Sequence, residues 1–439
     1  AGTFELLERG VFDPELFGEF IYSQQTASET DRGTGDQFAV DSEDNFAEVG
    51  VRQRLPTGTD VEVTVSQERD TSNRAPEQQS ARVGLTVTQQ LLAGFGPAVN
   101  LASIRQARVG TRASRFELRA FAETLLAEVE SAYWRTAFAK EEIAIVERSL
   151  AVSRQQLHEV KQRIELGALA DSDAAVARVE VSTREQALID AEALFEEEAL
   201  RLLRLIDAEP GDMGDRRDLR LVSDVVIEPI PLDDLPDRLR LAQRQRPDLA
   251  EARLRLQQDR LETVVTRNGL LPRLEVFIAY GETGFADRFD QSFGNLDDDT
   301  FDVSAGLRLS QELGDDADRA ANRAAFAGRA QSAAAVDNLS QLVDLDVRLA
   351  ANELERAERQ IDASLATLRF QEQTVIAERQ RLEAGVSTSL LVAQAERDLL
   401  EAQIERVRAV VAYRIALIDL YLAEGTLLDR RGFSVAGVP

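Results

Sequence analysis

The sequence predicts a mainly α-helical chain with a β part, built from two copies of one unit in which short strands lead into a long helical hairpin. Three observations carry this. A single gapless offset of 218 residues aligns Lys161-Gln162-Arg163-Ile164-Glu165-Leu166-Gly167 with Arg379-Gln380-Arg381-Leu382-Glu383-Ala384-Gly385, and also Gly110 with Gly328, Ser114 with Ser332, Ile143 with Ile361 and Leu150 with Leu368. Such self-similarity means a tandem duplication. The stretches 99–165 and 318–383 hold no proline, are rich in Ala, Leu, Glu, Arg and Gln, and in the first of them apolar residues recur at three and four (Ala122, Leu125, Leu126, Val129, Ala132, Tyr133), as a long amphipathic helix requires. Ahead of each such helix the period switches to two.

In chain order, Phe4 to Arg9 reads as the end of a helix whose beginning is expected upstream of Ala1. Ala1 to Arg9 lacks a basic start followed by an apolar core, so a signal peptide is expected to have been removed or the chain to be a fragment. Strands follow near 16–22, 46–55, 61–68 and 81–89. In them Val49, Val51 and Leu55, then Val61, Val63 and Val65, then Val83, Leu85 and Val87 alternate with small or polar residues, and Pro56-Thr57-Gly58-Thr59 supplies a tight turn. Copy two repeats this with strands near 274–280 and 300–310, where Leu274, Val276, Ile278 and Tyr280, and Phe301, Val303, Ala305, Leu307 and Leu309, form the apolar sets. Gly10 to Gly167 spans 157 residues and Gly269 to Gly385 only 116, and the extra hairpin at 46–68 fills the difference. Copy one thus has four strands and copy two has two. Polar, acidic loops are expected at 23–44, 68–80 and 282–299.

The first long helix ends at Gly167, and Asp171 or Ser172 caps a returning helix to about 206. An Asp- and Pro-rich linker covers 207–245, and a helix from Arg246-Pro247-Asp248-Leu249 runs to about 268. The second long helix ends at Gly385 and returns over 389–422. The segments are therefore 1–92 (helix end and strands), 93–206 (hairpin with its tip at 167), 207–268 (linker and helix), 269–312 (strands), 313–424 (hairpin with its tip at 385) and 425–439 (tail).

Composition narrows function. Lys+Arg 51 against Asp+Glu 78 gives a net charge of −27 in 439 residues, which disfavours nucleic acid as a partner because phosphate binding needs a basic surface. With no Cys and one His, thiolate chemistry, disulfides and histidine-cluster metal sites are absent. His158, nine residues before Gly167, reads as a surface helix residue, and Tyr133 and Trp134 as packing residues between helices. The Asp171/Asp173 pair and Asp297-Asp298-Asp299 lack calcium-loop spacing and read as solvated loops. No catalytic constellation and no cofactor motif is present. No apolar run reaches transmembrane-helix length, whereas the alternating strands fit either a lipid-facing β-barrel or a soluble sheet with one wet face.

Strands, long helix, glycine turn and return helix, duplicated in one chain, resemble the plan of the TolC-like outer-membrane efflux proteins. Local sequences agree: Leu85-Thr-Val-Thr-Gln-Gln-Leu-Leu-Ala-Gly-Phe-Gly96 followed by Asn100-Leu101-Ala102 and Arg105-Gln-Ala-Arg108, then Ala132-Tyr133-Trp134, Arg246-Pro247-Asp248-Leu249, and the two glycine tips. The resemblance implies a homotrimer whose hairpins close a twelve-helix tunnel, or α-barrel, through the periplasm, with a trimeric β-barrel in the lipid of the outer membrane. It implies a passive exit duct of a tripartite efflux or type I secretion system, coupled to a periplasmic adaptor and an inner-membrane pump. A long hairpin without a core of its own demands neighbours in any case. Six strands per protomer would give eighteen per trimer, against the family's common four and twelve. The rival reading is a soluble coiled-coil scaffold without a pore.

The resemblance also assigns sites. In the family the tips dock the adaptor through an apolar-Gly-apolar triplet, matched here by Leu166-Gly167-Ala168 and Ala384-Gly385-Val386. Members carry gate aspartates six and nine residues after the second tip glycine, where this chain has Leu391 and Gln394. The aromatic and arginine that lock the closed state are here Leu382 and Ser387, and Asp173, six after the first tip glycine, keeps the acidic pattern. A ring of leucines would close by dewetting rather than by charge.

Overall fold

The computed structural model describes residues 3–30, 32–167, 170–206, 219–223, 234–298, 300–314 and 316–434. Two compact units result, one formed by 1–114 with 252–336 and the other by 115–251 with 337–439.

The first unit is dominated by one antiparallel sheet in the order β1 (Glu15–Thr30), β2 (Gln37–Leu55), β3 (Thr59–Ser72), β4 (Gln78–Gln90), β5 (Arg273–Ala286) and β6 (Phe301–Ser310). The strands of both copies lie side by side, and Val61 to Val65 sit inside the ladder, with Val63 between Val51 and Leu85. Because paired residues share a face, the register aligns Leu16, Val51, Val63, Leu85, Tyr280 and Val303 in one row across all six strands. A neighbouring row runs through Val49, Val65 and Val83 to Glu282 and Phe301. These apolar side chains stay exposed, from Val83 at 39% to Leu16 at 74%.

The opposite face is polar. It pairs Arg52 with Glu15, Arg82 with Asp302 and Arg308 with Glu275. The first and last hairpins share a device there: Phe17 lies against Gly50 and Phe277 against Gly306, with Arg52 and Arg308 stacked on the two rings at 5.3 and 5.4 Å. Glycine is required opposite each ring because a Cβ would occupy the ring's place.

Two hairpins run further than their sequence suggests. The expected loop at 23–44 is mostly strand, with β1 continuing to Thr30 and β2 starting at Gln37, and Thr26 Oγ1 donating to Asp41 Oδ1 across the ladder at 2.7 Å. The expected loop at 68–80 shrinks to 73–77. The expected loop at 282–299 holds a short helix, α7 (Phe289–Gly294). Helical parts of this unit are α1 (Thr3–Arg9), α2 (Pro97–Asn100) and portions of α3 (Ala102–Glu165), α6 (Pro247–Gly269) and α8 (Asp316–Glu383).

The second unit contains the hairpins: the later part of α3 with α4 (Asp171–Leu205), and the later part of α8 with α9 (Ser389–Glu424). Its main core gathers Val343, Val347 and Leu354 of α8 with Tyr413, Leu417, Ile418 and Leu420 of α9, and Trp134 packs on it. The linker holds an unexpected helix, α5 (Leu235–Gln245), with a proline in its first turn where no amide is needed. Residues 207–218 and 224–233 of the linker lie outside the described set. The tail begins with α10 (Leu427–Arg430), whose Leu427 is fully buried, and 435–439 lie outside the described residues.

Candidate gate and docking tips

The two tips are built alike. Gly167 and Gly385 have φ of +74° and +75°, a left-handed conformation that glycine adopts without strain. At the second tip the Val386 amide donates to the Arg381 carbonyl at 2.9 Å and the Gly385 amide to the Leu382 carbonyl at 3.0 Å, the paired bonds of a Schellman cap. The Gly167 amide donates likewise to the Ile164 carbonyl at 2.8 Å. No atom stands within 4 Å of where a Cβ would project from either glycine, so the backbone angle alone demands the residue. The apices are apolar and open: Leu166 is 82% and Val386 75% exposed, and Ala384 is exposed too. Ala168 lies outside the described residues.

Just past the tips, the first turns of α4 and α9 meet. Asp173 is half-buried and its Oδ1 accepts from Ser389 Oγ at 3.4 Å. Thr388 caps α9 by accepting from the Leu391 amide. Leu391 is 46% and Leu390 50% exposed, Gln394 is exposed one turn on, and Val392, Ala393 and Ala395 are buried on the other side. Leu391 and Gln394, three apart, therefore share an outward helical face, and Asp173 stands on the neighbouring helix. Leu382 is half-buried against the hairpins, and Ser387 Oγ donates to Glu378 Oε2 at 2.7 Å. That bond, then the one from Arg381, holds the Glu378 carboxyl below its usual range.

Sequence reasoning missed a polar cluster below the tips. A cavity of about 360 Å³ opens between all four helices, lined by Val152, Val160, Val176, Leu382 and Val392 among others. Glu396 of α9 accepts from Arg379 of α8 at 2.7 Å and from Gln156 of α3. Glu180 of α4 pairs with Arg397 at 3.4 Å and Arg184 at 3.5 Å. Arg184 is buried in the apolar stripe of α4, and burial pulls its guanidinium below the ordinary arginine value against the pull of Glu180 and Glu396. The signal in the sequence was a charge at a stripe position, in helical register with Ala177, Leu188 and Ala191.

A second polar cluster locks the other end of α9. Gly425 ends that helix with φ +68°, pressed on the Arg246 backbone. Arg246 binds Asp248 at 2.7 Å and Asp346 at 3.3 Å and donates to the Ala423 carbonyl, which explains the Arg-Pro-Asp-Leu run as a clamp on the end of α9. Fully buried Glu424 accepts from Arg238 and Arg430. Glu123, also buried, accepts from Arg119 Nε at 3.3 Å, while Arg119 Nη2 reaches Asp429 at 2.8 Å and the Gly425 carbonyl at 3.3 Å. Burial, only partly opposed by Arg119, pushes the Glu123 carboxyl up to about 7. Tyr133, stacked edge-on with Trp134 at 5.5 Å, accepts the amides of Val222 and Ser223. His158 is exposed beside Gln162.

Among the described residues no group of three or more His, Asp or Glu side chains is arranged to hold a metal ion. Nor is any described helix long and apolar enough to cross a membrane.

Against known proteins, the sequence model of the family described as "Outer membrane efflux protein" matches residues 47–207 and 239–426. The pyoverdine export outer membrane protein OpmQ of Pseudomonas putida is 27% identical over 324 residues, 71% of this chain and 64% of OpmQ, so the chain spans just under two thirds of that relative. Among solved structures, the outer-membrane channel OprN superposes with a TM-score of 0.69 at 18% identity, over 96% of this chain and 84% of OprN. The Campylobacter jejuni CmeC outer membrane channel gives 0.68 at 14% identity, over 97% and 80%. The open state of the Neisseria gonorrhoeae MtrE outer membrane channel gives 0.63 at 18%, over 97% and 83%. These likenesses concern the fold.

Proposed function

Since the chain belongs to the outer membrane efflux protein family, we propose that it assembles as a homotrimeric, passive exit duct of a tripartite efflux system. Membership puts it in the outer membrane of a Gram-negative-type envelope with a periplasmic extension. The observation that carries the pore reading is the sheet. One face presents an unbroken exposed apolar row over six strands, the other is polar, and β1 and β6 are open edges. Open edges leave a row of backbone donors and acceptors unpaired, which in hydrocarbon is prohibitive. Pairing β6 of one protomer with β1 of the next closes an eighteen-stranded barrel with the apolar face toward lipid. At a strand spacing of about 4.8 Å and a tilt of about 40°, such a barrel is ~36 Å across, against ~24 Å for twelve strands.

The exposed apolar apices at Leu166 and Val386, together with Ala168 and Ala384, dock a periplasmic adaptor, and Leu391 with Gln394 and Asp173 forms the periplasmic constriction. An inner-membrane pump supplies the energy. The relative OpmQ is a pyoverdine exporter by name, and a siderophore-sized solute is therefore the first cargo to assay. A soluble scaffold would have no use for an exposed apolar row of this extent.

Reconstitution into planar bilayers tests the proposal. Purified trimers should insert from detergent and give discrete conductance steps, and cysteines placed at Glu19 and Ser304, exposed residues on the polar face of the two edge strands, should report on pore access from the aqueous side. A detergent-independent soluble protein without conductance would overturn it in favour of the scaffold.

A further inference from the structure

The segment joining β5 to β6 does something its acidity does not suggest. It leaves the sheet at the end away from the helices, the same end as the 32–36 and 73–77 turns. Helix α7 then folds back onto the sheet's apolar face. The row next to the exposed apolar rows runs Phe20, Ala47, Gln67, Ala81, Gly284, and its Ala81 and Gly284 form the seat. Ser292 of α7 is fully buried there, its hydroxyl 3.3 Å from Gln67 Oε1 and its carbonyl where a Cβ on Gly284 would lie. Ala81 is fully buried beneath, and Asn295 Nδ2 donates to the Phe285 carbonyl at 2.8 Å. The helix is thus pinned by side-chain and backbone contacts rather than draped.

Pinned in this way, α7 presents Phe289 and Phe293, in tilted ring contact at 5.2 Å, as one wall of an open groove of about 540 Å³. The other wall and floor are Phe20, Val49 and Val65 with Gly18 and Ala47 between them. Phe289 remains 59% exposed. A groove floored by glycine and alanine and walled by aromatics suits a flexible hydrocarbon chain, because small floor residues admit a methylene chain against the backbone and rings cover its flank. It is continuous with the apolar rows of Val49, Val51, Val63 and Val65, and it lies at the rim where aromatic residues gather in membrane barrels.

We propose that α7 and the β1–β3 wall hold an acyl chain of an outer-leaflet lipid, so that the β5–β6 segment is a lipid clasp on the outside of the barrel and not a cover over its mouth. The proposal rests on the barrel reading above, and the experiment separates the two. Single tryptophans are placed in a Trp134→Phe background at Phe293, at Val51 within the apolar row, and at Phe17 on the polar face, and the protein is reconstituted in phosphatidylcholine vesicles brominated along the acyl chain. Quenching of Val51→Trp and Phe293→Trp but not Phe17→Trp is expected. Quenching of Val51→Trp alone overturns the clasp and leaves the barrel standing, whereas no quenching at Val51→Trp overturns both. Lipid retained on detergent-purified trimers supplies the second measurement. Ala47→Phe fills the groove without touching α7's seat at Gly284, and should cut retained phospholipid by about tenfold, since each lost methylene contact weakens binding severalfold. Retention equal to that of the unaltered protein, with trimers intact, would mean that the groove binds no chain.

Discussion

Replacing Glu123 by glutamine should remove a pH dependence from the stability of the helical unit. Glu123 is 1% exposed, its nearest cation is Arg119 at 3.3 Å, and that guanidinium is already shared with Asp429 and the Gly425 carbonyl. Its carboxyl is pushed from an ordinary 4.5 up to about 7, first by burial, with Arg119 pulling the other way. A raised folded value means that the native state holds a proton that the unfolded chain has released. The resulting stabilisation is complete below pH 4.5 and is lost as pH climbs through 7; the gap corresponds to about 3 kcal/mol between the two limits. Glutamine keeps an oxygen for Arg119 and carries no charge at any pH. Unfolding of an assembled membrane protein is rate-controlled, so the assay is the rate of heat-induced change in the emission of Trp134, the one tryptophan of the chain, at fixed temperature from pH 5 to 8.5. The unaltered protein should unfold faster as pH rises, by up to about a hundredfold if the unfolding step carries the whole term, and Glu123→Gln should lose most of that slope. Asp419 and Glu142, both raised by burial, add slope of the same sign to both proteins, which is why the difference is read. Parallel pH profiles for the two proteins would refute the reasoning.

Gly425→Ala should be more damaging than an alanine at either tip, because it combines a left-handed φ with a Cβ 2.9 Å from the Arg246 Cα; a loss of about 2–4 kcal/mol is expected, and Trp134 unfolding rates indistinguishable from the unaltered protein would contradict it. Gly167→Asp and Gly385→Asp meet no atoms, so each should cost only about 1 kcal/mol of local strain and leave trimers assembled while abolishing cross-linking to the adaptor; normal cross-linking and transport in both would remove the tips from the docking surface. Leu391→Ser should raise single-channel conductance about twofold or more if a dewetted leucine ring is the constriction, and unchanged conductance would shift the gate to Gln394 or Asp173.

The parts of the fold legible in the sequence are those where one physical pressure acts along many residues. The 218-residue repeat and the proline-free stretches locate the long helices to within a few residues, and Gly167 and Gly385 mark their ends because only glycine takes φ near +75° cheaply. Strand alternation is readable only where one face is apolar. Beyond Tyr22 both faces of β1 are polar, so the period-two signal fades although the ladder goes on through Ser23–Asp44 to Thr30–Gln37. In 282–299 the charges Asp287, Asp290, Asp297 and Asp298 dominate the composition, and they hid Phe285, Phe289 and Phe293, whose spacing of four is a helical signal for the last two. The clusters at Glu396 and Glu123 were hidden for another reason. A glutamate inside an apolar helical stripe announces only that it must find a partner, and Arg379, Gln156 and Arg119 become its partners through packing between helices that are far apart in the sequence or through one shared turn. Buried charge in a stripe is therefore the place where a sequence of this kind names a consequence without naming its cause, and in this chain both ends of α9 are such places.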